Sequence, residues 1–119
     1  KNFAARLREE LKYNRDVTLR DLELLKVGRH FRFDDKAKLI VGRDSEENKI
    51  ISDLARKDEI LLEVSDFGSP VSLLIGKRTF LEEAARLTKR YSDGKNESRV
   101  KVIYYTKGAK ETGKAEIFV

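Results

Sequence analysis

Catalysis finds little to work with in this chain. It holds a single histidine and no cysteine, so thiolate chemistry, disulfides, a zinc ribbon and a histidine cluster are all out of reach. His30 lies in an arginine-flanked segment with no nucleophile elbow or orienting base around it, which suits a contact residue better than a general base. The paired acids Asp34-Asp35, Glu46-Glu47 and Glu82-Glu83 fall in a turn and on helix surfaces, where solvated carboxylates are the expectation. Neither a Walker A loop nor a GxGxxG turn is present, and no spacing suits a metal. The residues point away from an enzyme.

Binding fares better. Segment 99–107 alternates, placing Arg99, Lys101, Tyr105 and Lys107 on one side with Ile103. Cations that neutralise phosphates beside an aromatic that can stack on a base are the elements of a nucleic-acid contact. Lys110 and Lys114 extend the positive run past Gly108, and Arg29, His30 and Arg32 could join it from an earlier hairpin. The same residues also fit solubilising positions that keep a sheet edge from pairing. A second place is the stretch 39–48. There a short apolar strand, Leu39-Ile40-Val41, meets Gly42 and a helix start capped by Asp44 or Ser45. Such a corner gathers free N–H groups beside Arg43; it can be a plain structural turn or an anion site.

These residues need elements to hold them. Phe3, Leu7 and Leu11 repeat at helical spacing over 2–13, and Thr18 to Asp21 can cap a short second helix to Leu25. Gly28 ends it. A hairpin is expected from 29–33 and 39–41, then a helix to about Arg56 burying Ile50, Ile51 and Leu54. Strands are expected at 59–64 and 71–75, around a loop holding the one proline. Thr79 to Glu82 reads as a capping box for a helix with Phe80, Ala84, Leu87 and Tyr91 inward. Strands at 99–106 and 115–119 complete an α+β fold: a mixed, mostly antiparallel sheet with helices packed against it, plus N-terminal helices.

The 119 residues suit one compact unit, read as an N-terminal helical extension over 1–27 and a binding domain over 28–119. Charged residues make up 39% of the chain, a surplus of both signs that suggests ion-pair networks and heat adaptation. The net charge of +5 favours a polyanionic partner. No apolar run reaches membrane-spanning length, and the cytoplasm is the expected setting. The absence of methionine suggests a piece of a longer protein.

Several motifs, in order, resemble the NFACT RNA-binding domain. They are Val41-Gly42-Arg43-Asp44 with Glu47-Asn48; Asp66-Phe67-Gly68-Ser69-Pro70-Val71; Thr79 to Ala85; Tyr91-Ser92; Ser98 to Val102; Tyr105-Thr106; and Lys107-Gly108-Ala109-Lys110. That family is the C-terminal RNA-binding module of ribosome quality-control and fibronectin-binding-like proteins. Upstream, Leu22 to Arg32 resembles the variant fused behind a PP-loop, tRNA thiouridylase-like domain. The resemblance implies a non-catalytic domain without cofactor that binds RNA, tRNA above all, and partners an upstream catalytic domain. By that likeness Arg43 and Asn48 fall at the strand–helix corner, Asp66 and Ser69 in its Asp-x-x-Gly-Ser loop, and Lys107 and Lys110 in its basic turn. Here Phe67-Gly68-Ser69-Pro70 stands where the family has Pro-Gly-Ser-His. The alternative is a docking or dimerisation module of a ribosome-associated protein, burying Ile103 and Tyr105 in an interface.

Overall fold

Short apolar strands with helices between them dictate a sheet that must be covered, and that is what the chain builds. The structure, a computed structural model, describes residues 3–109 and 113–119. Helices α1 (Phe3–Tyr13) and α2 (Leu19–Leu25) lead into the hairpin β1 (Arg29–Arg32) and β2 (Lys38–Val41). Then come α3 (Ser45–Leu54), β3 (Ile60–Val64), β4 (Ser72–Ile75), a 3-10 turn at Arg78–Phe80, α4 (Leu81–Arg90), β5 (Lys101–Thr106) and β6 (Ala115–Phe118). The six strands lie in the order β1-β2-β4-β3-β5-β6, and every pairing is antiparallel. The fold is α+β, as expected.

Both faces of the sheet are covered. On one, α4 lays Ala84 and Ala85 against Leu39, Val41, Leu62 and Val102, all of them buried. The two alanines let the helix axis come close; a larger side chain there would overpack the contact. On the other face, α2, the turn after it and α3 bring Leu24, Val27 and Ile51 onto Ile40, Leu61, Leu73 and Tyr105. Strand residues therefore alternate between two cores rather than between core and water.

The local rules hold in most places. Thr18 and Asp21 form the reciprocal capping box of α2. Asp44 accepts from the Glu47 N–H at 2.9 Å and starts α3, which ends at Leu54, short of Arg56. Thr79 is the exception. The chain enters α4 through the 3-10 turn, and no side-chain hydrogen bond caps either piece.

Helix α1 is held chiefly by polar contacts. Arg6 donates to the carbonyls of Leu25 and Gly28. Glu10 is buried and accepts from Lys38 at 2.8 Å, from Asn14 at 3.1 Å and from Arg32 at 3.4 Å. Burial pushes the Glu10 carboxyl up, but those partners outweigh it and leave the group below its usual range.

Candidate nucleic-acid interface

The pairing registers sort the expected contact residues to the two ends of the sheet. Arg29 pairs with Val41, Val41 with Ser72, Leu62 with Ser72, Val64 with Val102 and Lys101 with Phe118. Arg29, Arg43, Asp66, Ser69, Arg99 and Lys101 all belong to that end. Arg32 pairs with Lys38, Lys38 with Ile75, Ile60 with Thr106 and Tyr104 with Ala115. That opposite end holds Lys107 and Lys114, so those lysines do not extend the patch around Arg99 and Lys101. Lys107 hands its ammonium to the Asp53 carbonyl. Lys110 lies outside the described residues.

Three expectations fail on burial. Tyr105 is 6% exposed, packed in the second core with its hydroxyl donating to Glu63 at 2.6 Å, so it is no stacking platform. Burial and the Glu63 charge raise its pKa. His30 turns beneath α2, where Nε2 lies 3.1 Å from the Leu24 carbonyl and 2.9 Å from that of Val27. Two acceptors require Nε2 to carry the hydrogen. Burial, followed by the charge of Lys38, lowers its pKa to about 4, so His30 is a neutral tie between β1 and α2. Arg32 is drawn under α1, against Glu9, Glu10 and the Tyr13 ring, and is not offered to solvent as a free cation.

The strand–helix corner behaves as its residues require. Glu47 Oε1 accepts from the backbone N–H of Gly28 and of Arg43 and from Arg43 Nε, each at 3.0 Å. Oε2 accepts from the Arg43 guanidinium at 2.8 Å. The Arg43 hydrogen bonds, opposed by partial burial and helped by the two N–H groups, lower the Glu47 carboxyl to about 2. The protein's own carboxylate thus takes the donors a bound anion would use. Asn48 Oδ1 accepts from the Val71 N–H at 3.0 Å, tying α3 to the start of β4. Gly42 leaves room for that amide, since a Cβ would fall on Asn48 Oδ1. Ser69 Oγ accepts from the Val64 N–H and donates to the Pro70 carbonyl, each at 2.8 Å. Asn48 and Ser69 shape the site rather than project from it.

Around this corner runs an open groove of about 460 Å³. Arg29, Arg43, Asn48 and Ser69 line it from three separate segments, joined by Arg90, Tyr91, Asp93 and Lys95 from the end of α4 and its loop. Four cations face two carboxylates, Asp44 and Asp93. Arg43 is held by Glu47, while among the described residues no carboxylate pairs with Arg90 or Lys95. The Arg29 guanidinium lies 4.5 Å above the Tyr91 ring, which in turn meets Phe31 at 6.0 Å between centroids. The basic lining continues along α4 through Arg86 and Lys89 to Asn96. Sequence reading missed Arg90 and Lys95. A signal existed in Lys89-Arg90 closing the helix with Lys95 soon after, but basic residues at a helix C-terminus have a sufficient reason in the helix dipole.

A neighbouring groove at the same end of the sheet gathers Asp66, Phe67, Arg99, Lys101 and Phe118. Asp66 adopts a left-handed φ of 73° there. Arg99 rests on the Phe118 ring at 4.7 Å, and Lys101 lies 3.6 Å from Glu116. Among the described residues no group of three or more acids and histidines could hold a metal, and no helix is long and apolar enough to cross a membrane.

The sequence model of the NFACT protein RNA binding domain matches residues 28–117. The chain belongs to that family. This NFACT-type domain is similar in structure to the C-terminal part of the fibronectin/fibrinogen-binding protein from Streptococcus suis, with a TM-score of 0.67 and 18% identity. The match covers 78% of this chain and 44% of that one, and at this identity it speaks for the fold. No curated protein matches the sequence. Membership gives the domain a general role in binding RNA.

Proposed function

We propose that this domain holds a structured RNA, tRNA first among candidates, against the groove at the Arg29–Arg43 end of the sheet. The observation that carries the reading is convergence: cations distant in sequence, Arg29, Arg43, Arg90 and Lys95, meet around one open groove. Their task is to neutralise phosphates, which sets affinity and register without reading sequence. The likeness of Leu22 to Arg32 to thiouridylase-linked variants supports a place behind a catalytic domain of a cytoplasmic tRNA-modifying protein, to which this domain presents substrate. No reaction is assigned to the domain itself.

Filter binding of bulk tRNA across a salt series tests the proposal. Binding that weakens steeply as salt rises is expected, with a slope of about three to four phosphates for the four groove cations. Absence of binding at low salt, or binding without a salt slope, overturns it. Ile103 and Tyr105, which the alternative docking reading would bury in an interface, pack into or against the second core. A dimer that persists at high salt and blocks RNA would nonetheless favour docking.

A further inference from the structure

Most of the groove's cations have only charge to offer, but Arg29 has a shape. Strand β1 sends Arg29 and Phe31 to the α4 face of the sheet, and Tyr91 at the end of α4 comes down between them. The ring supports one side of the guanidinium at 4.5 Å, while Arg29 remains half-buried and lines the open groove. A guanidinium held this way is a planar shelf, because the aromatic contact restricts it and no carboxylate among the described residues draws it aside. The same groove is lined by cations that can take phosphates: Arg43 on the corner, Arg90 at the end of α4 and Lys95 in the loop after it.

Planar cationic shelves accept nucleobases, and a base can reach one only if it is out of the stack. We propose that the Arg29–Tyr91 pair takes one unpaired nucleobase, the neighbouring cations gripping the phosphates before and after it. Resting on the RNA-binding reading above, this adds a selection rule: the domain prefers RNA carrying a bulged, looped or flipped-out nucleotide over continuous duplex. Lysine cannot replace Arg29 here, since an ammonium keeps the charge and loses the plane.

The test uses two RNA probes, a blunt duplex and the same duplex with one bulged purine, titrated onto the domain at fixed salt. The wild type is expected to bind the bulged probe about tenfold more tightly, within what one stacked base supplies. Arg29→Lys should shrink the preference for the bulged probe to within about twofold, since the charge stays and the plane is lost. Arg90→Ala with Lys95→Ala should weaken both probes alike. Equal affinity of the wild type for the two probes overturns the stacking proposal and leaves RNA binding standing. So does an Arg29→Lys variant that keeps the full preference or loses both probes equally. Failure of the wild type to bind either probe overturns the RNA reading itself. The wild-type comparison decides even if a variant does not fold.

Discussion

At Tyr105 the ring fills the second core and the hydroxyl donates to Glu63 at 2.6 Å, so the side chain serves packing rather than RNA. An aromatic alternating with lysines looks like a stacking residue, and alternation does report which residues share a face. It does not report whether that face is wet. Here α3 covers it, and the Leu39-Ile40-Val41, Ile60-Leu61-Leu62 and Leu73-Leu74 runs, which do not alternate, already hinted that both faces are interior. Tyr105→Phe should therefore leave tRNA affinity unchanged and lower stability by about 1 kcal/mol through the lost bond to Glu63, measured by urea denaturation. His30 leads to a pH prediction. Its folded pKa of about 4 lies below the usual 6.5, so the unfolded chain takes up the proton first as pH falls. Stability is full above pH 6.5 and drains as pH falls to about 4, by up to about 3 kcal/mol. Thermal melts over that range should show the loss, and His30→Gln, which keeps a donor for the α2 carbonyls, should flatten it.

Among the elements, nearly every helix and strand was legible, because periodicity and punctuation agree at most boundaries: Thr18, Gly28, Gly42 and Asp44 all act as their types require. Thr79 misled because its spacing to Glu82 satisfies the capping rule while the chain takes a 3-10 turn instead. Long-range ties were harder to see. Asn48 reaching Val71, and Glu47 turning from its own N-cap to Gly28, join segments no local rule connects. Gly42→Ala should force Asn48 off Val71 and cost about 1–3 kcal/mol, the range for an orphaned N–H, visible as faster amide exchange at Val71. The attachment of α1 could not be foreseen either, since Glu10 looked like one more surface acid. Glu10→Ala leaves Arg32 and Lys38 without their shared partner and should destabilise the domain by about 3 kcal/mol, with α1 amides exchanging first.

For the molecule as a whole, the family and the sense of the charge were legible, and the place of the charge was not. Lys101 starts β5 and Lys107 follows its last residue, six residues on, which at strand rise is about 20 Å, so a single phosphate patch could not hold both. Convergence came from elsewhere: a strand start, a helix corner and the end of α4, brought together by the antiparallel order of the sheet. The most direct test of this account compares two charge-removal variants for tRNA binding at one salt concentration. Arg90→Ala with Lys95→Ala should reduce affinity about tenfold or more and lower the salt slope by about two. Lys107→Ala with Lys114→Ala should stay within about twofold of wild type, since those side chains sit at the far end. The reverse pattern, with the Lys107 and Lys114 variant losing binding and the Arg90 and Lys95 variant keeping it, would contradict the placement of RNA in the groove.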